Sequence, residues 1–451
     1  MDMSIPTTWV GTANEPASGF PLQSLPYCAF TPASTPASMP EAASAPEAML
    51  HLGVGIGAFI LDLHQLQSNN LLTTLSPDLQ SACTAPQLNP LMRCGPAAWS
   101  ALRQRLFDLL KTIEPRSDRN TDQQRLVASL MLPMAKAVFH KPVTTENYTD
   151  FYASIHHATN VGKLFRPDQP LLPNYHWLPI GYHGRASSLV ISGTPIRRPH
   201  GQFKLSGDAT PTFAPTAQLD YELEVAAYIG TGNPQGTPIP IAEAEHHLFG
   251  LSLLNDWSAR DIQSWEAQPL GPFLGKNFAT SLSPWVVPME ALAPYRTPLA
   301  PRPSTNPQPL PHLTEPSSAP PSGIDITLEV LLSTAHMREH NLSPTPLSTA
   351  NLRDLYWSFP QMLAHHTSNG CNLLPGDILA SGTVSGPTSS SQGSLLEITQ
   401  RGTTPIHLPN NETRTFLEDG DEIIFRGTCQ REGLLTLTLG ECRGTILSAT
   451  S

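Results

Sequence analysis

The chain has 451 residues, of which 39% are hydrophobic and only 14% charged, a globular composition with room for two domains. A formal net charge of −11 and a pI near 5.8 argue against nucleic acid or an anionic membrane as a partner. No Lys or Arg precedes Arg93 and none of the six cysteines forms a Cys-x-x-Cys, which excludes a basic targeting leader, a zinc site and a disulfide frame, and predicts reduced thiols in a cytoplasmic protein.

Residues up to about Ser24 are rich in Pro and Thr and are expected to be extended. Thr31 to Met49 is almost wholly Ala, Pro, Ser, Thr and Glu, a low-complexity loop that cannot bury a core. The run Leu52 to Leu63 contains Gly53-x-Gly55-x-Gly57, but no strand precedes it, so a nucleotide-binding loop is rejected in favour of two short strands joined by a glycine turn. It is also too short to span a bilayer. Ala97 to Ile113 carries Trp99, Leu102, Leu106, Leu109 and Leu110 at helical spacing and predicts an amphipathic helix. Gln124 to Met134 has no decisive period. From Asn147 the texture turns to aromatics, glycines and histidines, which sets a domain boundary near Pro142 and domains at 1–142 and 143–451.

In Leu219 to Ala226 side chains alternate, so Asp220, Glu222 and Glu224 share one strand face. Stacked carboxylates repel one another, and a cation resolves the conflict; the competing reading is a solvated strand face. Leu248 to Leu254 predicts a buried strand ending at Asn255-Asp256, where a helix over Ser258 to Trp265 starts on an acidic cap. That helix would align Asp256, Arg260 and Gln263 on one face, unless it is merely a capped surface helix with an exposed ion pair. Pro294 to Gly323 reads as a proline-rich connection, or as a PxxP ligand for another protein. Strands are predicted at Ile324 to Leu332 and Gly393 to Ile398, a helix at Leu352 to His366, and a turn leading into a strand over Asp419 to Phe425.

Asn147 to Gly162 places Asp150, Tyr152, His156 and His157 within a few residues. With carboxylate pairs elsewhere, this suggests a metal site with an adjacent base. Gly382-Thr-Val-Ser-Gly386 has the wrong spacing for a nucleophile elbow and no His-Glu-x-x-His occurs, which disfavours a serine or zinc hydrolase.

Several long words give these residues a family. They are Tyr-Thr-Asp-Phe-Tyr at 148–152, His-Ala-Thr-Asn-Val-Gly at 157–162, Gly-Tyr-His-Gly-Arg-Ala-Ser-Ser at 181–188, Ser-Gly-Thr-Pro-Ile-Arg-Arg-Pro at 192–199, Asn-Asp-Trp-Ser-Ala-Arg-Asp-Ile-Gln at 255–263 and Asn-Gly-Cys-Asn-Leu at 369–373. The chain resembles the fumarylacetoacetate hydrolase family from about Phe20 to Leu447. The resemblance implies a mainly β (α+β) fold: an N-terminal SH3-like β-barrel, then a mixed β-sandwich roll. It implies hydrolysis of the carbon–carbon bond of 4-fumarylacetoacetate, at the end of tyrosine and phenylalanine catabolism, by a homodimer. The implied ligands of Mg²⁺ or Ca²⁺, with Mn²⁺ possible, are Asp150, Glu222, Glu224 and Asp256, with Lys276 and Thr280 beside them. His157 is the implied base, oriented by Glu397; Arg260, Gln263 and Lys276 stabilise developing charge; Tyr152, Arg166, Tyr182, Gln263 and Thr383 hold the substrate. No organic cofactor is implied. His156 is expected to be structural, and His365-His366 to lie on a helix face. Ala267 stands where the family's Trp-Glu-Tyr motif has a tyrosine. The loops at 31–49 and 316–323 read as insertions. The competing functions are another β-diketo-acid or acylpyruvate hydrolase or a decarboxylase on the same scaffold, and an inactive cation-stabilised binding protein.

Overall fold

The computed structural model describes residues 6–33, 49–113, 118–204, 207 and 209–450. Most of the Ala/Pro/Ser-rich stretch read as a loop at 31–49 lies outside the described residues. Among these residues no helix is long and apolar enough to cross a membrane, and all six cysteines are free.

The N-terminal part is a five-stranded antiparallel sheet in the order Met131–Pro133, Phe59–Asp62, His51–Ile56, Tyr27–Pro32, Ala137–His140. The glycine-rich run forms two of these strands, as expected. They turn at Gly57, whose φ of +56° and close approach to Thr12 leave no room for a Cβ. The helix expected over 97–113 runs from Pro96 to Leu110 and buries Leu102, Leu106, Leu109 and Leu110. Trp99 is only partly buried and meets Phe249 of the next sheet edge-on at 5.1 Å. The undecided stretch from Gln124 holds the end of helix Asp118–Ser129 and then the strand Met131–Pro133.

The rest of the chain is built on two sheets. The larger, eight-stranded sheet has Leu248–Asp256 near its middle, paired with Leu223–Ile229 on one side and with Thr280–Leu282 and Val287–Pro288 on the other. Beyond Leu223–Ile229 come Ile378–Ala380, then Tyr148–Phe151 in parallel, then Gly181–His183. The second sheet orders Thr345–Asn351, Thr327–Ser333, Glu422–Cys429, Leu437–Leu447 and Ile196–Arg197. Between them lies an apolar core that includes fully buried Trp257, Tyr221 and Phe425. The architecture is a mixed, sheet-rich α+β fold.

Leu248–Asp256 is buried along its whole length, as a continuous apolar run on a central strand should be. The strand does not stop before Asn255, however. Asn255 pairs with Leu223 and Ser281, and Asp256 with Thr280, so Asp256 is a strand residue and not a helix cap. The helix that follows is Arg260–Glu266, with Ala259 at its N-cap position and no side-chain cap.

Two expectations in the last third are overturned. Gly393 to Ile398 is not a strand: Leu395–Ile398 is a helical turn capped by Ser394, whose hydroxyl accepts from the Glu397 N–H. Asp220 satisfies the other free N–H groups of that turn, accepting from Leu395 at 2.8 Å and Leu396 at 2.9 Å. Leu352 to His366 is not one helix either. Leu352–Asp354 is a single 3-10 turn, and the helix is Phe359–Thr367, started by a capping box between Ser358 and Gln361. The strand after the Asp419-Gly420-Asp421 turn is present as Glu422–Cys429. The proline-rich tract forms a loop whose ends meet in a short ribbon, Arg296–Thr297 against Gly323–Ile324.

Candidate active site

Three strands and the break before one of them bring the acidic residues together: Asp150 is on Tyr148–Phe151, Glu224 on Leu223–Ile229, Asp256 on Leu248–Asp256, and Glu222 just before Leu223. Asp256 lies across from Thr280, Asp150 lies across from Tyr182 and Ala380, and the Asp256 N–H donates to the Glu222 carbonyl at 3.3 Å. Asp150, Glu222, Glu224 and Asp256 thus offer carboxylate oxygens that all lie within 4.8 Å of one another. None is solvated: their exposures are 3%, 6%, 0% and 1%. This rules out the solvated strand face for Glu222 and Glu224. The exposed ion pair is ruled out as well, since Arg260 is 6% exposed.

The alternation holds only in part. The strand is interrupted between Asp220 and Leu223, and Asp220 turns away from the four-carboxylate group toward Arg260, accepting from its Nε at 2.8 Å. Arg260 also donates through Nη1 to Glu222 at 2.7 Å and to Gln263 Oε1 at 3.2 Å. Lys276 bonds Glu222 and, at 2.8 Å, Asp256. Thr280 and Tyr182 both donate to Asp256, at 2.8 and 2.9 Å.

Charge does not balance in this buried volume. Five carboxylates, counting Asp220, face two cations. Burial alone would push Glu222 up, but Lys276 and then Arg260 outweigh it and hold the carboxyl far down. Asp150 and Glu224 go the other way, pushed up by burial and by the neighbouring carboxylates. Both Glu224 oxygens and Asp150 Oδ1 are buried without a hydrogen-bond donor among the described residues. Orphaned, mutually repelling oxygens are costly, and a hard divalent cation satisfies all of them at once. The group fits such an ion.

Beside the carboxylates lies a cavity of about 700 Å³. His157, on the helix Ile155–Phe165 that Ser154 caps, is 3% exposed and lines it. Its Nδ1 is 2.7 Å from Glu397 Oε2. Glu397 is held from all sides: Asn160 donates to Oε1, and Ser385 and Ser394 to Oε2, each at 2.9 Å. Burial pushes this carboxyl up, yet His157 and these donors bring it below its ordinary range. The ring's Nε2 has no partner among the described residues and is the nitrogen available to the cavity.

Tyr152, Arg166, Tyr182, Gln263, Ala267 and Thr383 also line this space. Tyr152 meets the His157 ring edge-on at 5.4 Å. Thr383 presents a buried hydroxyl without a partner among the described residues. Arg166 is exposed and donates to the Pro170 carbonyl at 3.2 Å. His156 is absent from the lining, half-buried and pushed down by burial. His366 Nε2 bonds the Thr149 hydroxyl at 2.8 Å, away from the carboxylates. Sequence reasoning missed Asp220 as the residue that fixes Arg260, and Asn160, Ser385 and Ser394 as the holders of Glu397. The Ser-x-x-Glu cap at 394–397 was a readable signal for one of them.

Comparison with known proteins agrees with this arrangement. The family profile described as fumarylacetoacetate (FAA) hydrolase C-terminal matches residues 146–446, and that described as fumarylacetoacetase N-terminal matches residues 23–142. The chain is 45% identical over 433 residues to a fumarylacetoacetase of Homo sapiens, covering 96% of this chain and 97% of that one. Identity to the Rattus norvegicus fumarylacetoacetase is 44% over 437 residues, with the same coverages. For the Arabidopsis thaliana fumarylacetoacetase it is 43% over 431 residues, covering 95% and 96%. The chain belongs to the fumarylacetoacetase family. Ala267 lies on the cavity wall at the end of helix Arg260–Glu266, one turn beyond Gln263.

Proposed function

We propose that the chain hydrolyses the carbon–carbon bond of 4-fumarylacetoacetate, releasing fumarate and acetoacetate. The observation that carries this reading is the buried His157–Glu397 pair opening onto a cavity that Asp150 and Glu222 of the four-carboxylate group also line, in a chain similar to fumarylacetoacetases over nearly its whole length. Asp150, Glu222, Glu224 and Asp256 would hold Mg²⁺, Ca²⁺ or Mn²⁺, with Lys276 and Thr280 fixing Glu222 and Asp256. Bound there, a divalent cation supplies Lewis-acid polarisation of the β-dicarbonyl.

The protein's own groups do the rest. His157 takes a proton from water through Nε2 while Glu397 steadies the imidazolium at Nδ1. The water oxygen bonds to the carbonyl carbon that carries the unsaturated arm. The bond to the methylene then breaks, its electron pair stays on the acetoacetate carbon, and His157 returns the proton there. Arg260 and Lys276, held still by Asp220, Glu222 and Asp256, oppose the negative charge that grows on oxygen, at no reorganisation cost. Tyr152, Arg166, Tyr182, Gln263 and Thr383 hold the substrate's polar ends.

The same reading includes an SH3-like N-terminal barrel at 1–142, a catalytic domain at 143–451, a cytoplasmic location and a homodimer. Loss of the absorbance of 4-fumarylacetoacetate on adding the protein tests the function. Turnover of acylpyruvates or oxaloacetate in its place would move the chain to another β-diketo-acid hydrolase or to a decarboxylase.

Ala267 should set part of the acyl preference. A tyrosine hydroxyl there would reach a substrate oxygen, and one hydrogen bond is worth about 0.5–1.5 kcal/mol net. Ala267→Tyr should therefore lower KM for 4-fumarylacetoacetate roughly threefold to tenfold and narrow tolerance of bulkier acyl groups. A steady-state comparison of both forms checks this. A higher KM in the tyrosine variant would mean that other side chains already fill the space.

A further inference from the structure

Four Arg and Lys side chains line the cavity: Arg166, Arg260, Lys276 and Arg401. Arg260 and Lys276 are paired with buried carboxylates. Arg166 and Arg401 have no carboxylate partner among the described residues, and the Arg401 guanidinium has no hydrogen-bond partner there either. It stands 4.7 Å over the ring of Phe165, the last residue of the helix that bears His157.

The backbone goes to some expense to put Arg401 there. Directly after the Glu397 turn, Gln400 and Arg401 take φ of +47° and +60°, followed by Gly402 at +81°. Left-handed conformations strain non-glycine residues. The bend is nonetheless tightly tied: Gln400 N donates to Glu397 O at 3.1 Å and Arg401 N to Leu396 O at 2.8 Å. The Gly402 N–H donates to the Thr399 hydroxyl at 3.0 Å. A strained residue on a rigid turn at a cavity rim points to a task for its side chain. Arg401 and Phe165 also close the ends of the two elements that carry Glu397 and His157, so a ligand held by Arg401 is registered to that pair.

We propose that Arg401 is a binding residue for a carboxylate at the outer end of the substrate, selecting dicarboxylates over monocarboxylates of the same shape. This rests on the function proposed above and names which end of the substrate the rim recognises. An exposed arginine with no protein carboxylate beside it among the described residues, stacked on an aromatic face, is suited to that contact.

Fumarate and crotonate test it, because they share one trans-alkene shape and differ by one carboxylate. Calorimetric titration of the cation-loaded protein should show fumarate binding more tightly than crotonate. Arg401→Met keeps the stem against Phe165 and removes the charge; it should weaken fumarate binding about threefold to tenfold and leave crotonate unchanged. Arg401→Lys should restore most of the preference. Arg401→Gly, which suits the backbone, should behave like the Met variant. In turnover of 4-fumarylacetoacetate, Arg401→Met should raise KM by a similar factor with kcat within about twofold. Equal affinities of the wild-type protein for the two acids, or equal losses for both in Arg401→Met, would overturn the proposal. Absence of 4-fumarylacetoacetate turnover by wild-type protein that still prefers fumarate would instead overturn the reaction assigned to the site.

Discussion

His157→Ala is expected to lower kcat by about 10² to 10⁴ and leave KM nearly unchanged, the pattern of a lost general base. The geometry explains the size. His157 is the one histidine on the cavity lining among the described residues, and it is fixed there by a carboxylate that itself accepts from Asn160, Ser385 and Ser394. Alanine leaves Glu397 buried without its imidazole and leaves water without a base. Folding should survive, because the helix Ile155–Phe165 keeps its Ser154 cap and alanine is a good helix former. Glu397→Gln should have the same sense and a smaller size, since it leaves the base in place but no longer opposes its charge. Single-turnover rates of the three proteins decide the matter. Retention of more than about a third of wild-type kcat in His157→Ala would fall outside the range of a lost general base and move that role to another group.

Removing the cation should abolish turnover, and Mg²⁺, Mn²⁺ or Ca²⁺ should restore it. The same step should cost stability. A ligand that binds only the folded state adds about 2.7 kcal/mol at a hundredfold excess over its Kd, so Tm should fall when the protein is stripped and rise when a cation is returned. Glu224→Gln separates the two effects. Both Glu224 oxygens are buried without donors among the described residues and pressed by Asp150, Asp256 and Glu222. The neutral amide should therefore raise the Tm of the stripped protein while weakening cation affinity and the Tm gain on loading. Thermal melts of stripped and loaded forms read both quantities. Full activity in protein freed of metal, verified by elemental analysis, would sink the cation's part in the mechanism.

Local patterns were readable in the sequence where one segment decides its own structure. The glycine-rich hairpin at 51–62, the helix of Pro96–Leu110 and the buried strand of Leu248–Asp256 follow from period and burial alone. Where the reading failed, a tertiary contact outvoted the pattern. Leu395 and Leu396 are both buried and look like strand residues, but Asp220, 175 positions earlier, receives the Leu395 N–H and makes a helical turn the better solution. Asp256 looked like a cap because Asn-Asp is a common helix start, yet Thr280 pairs with it and extends the strand.

The long words around Asp150, His157, Asp256 and Arg260 carry the resemblance whatever the fold does with them, so the family and its set of residues are legible before any strand is placed. Which of those residues meet, and at what electrostatic cost, depends on the folded chain. Glu397 reaches His157 across 240 positions, and Asp220 leaves its neighbours Glu222 and Glu224 to hold Arg260. Arg401 and Phe165 meet at the rim because two separate elements end side by side. The reason is physical: period and capping are properties of a dozen consecutive residues, whereas charge balance in a buried volume depends on which strand ends the whole chain brings together.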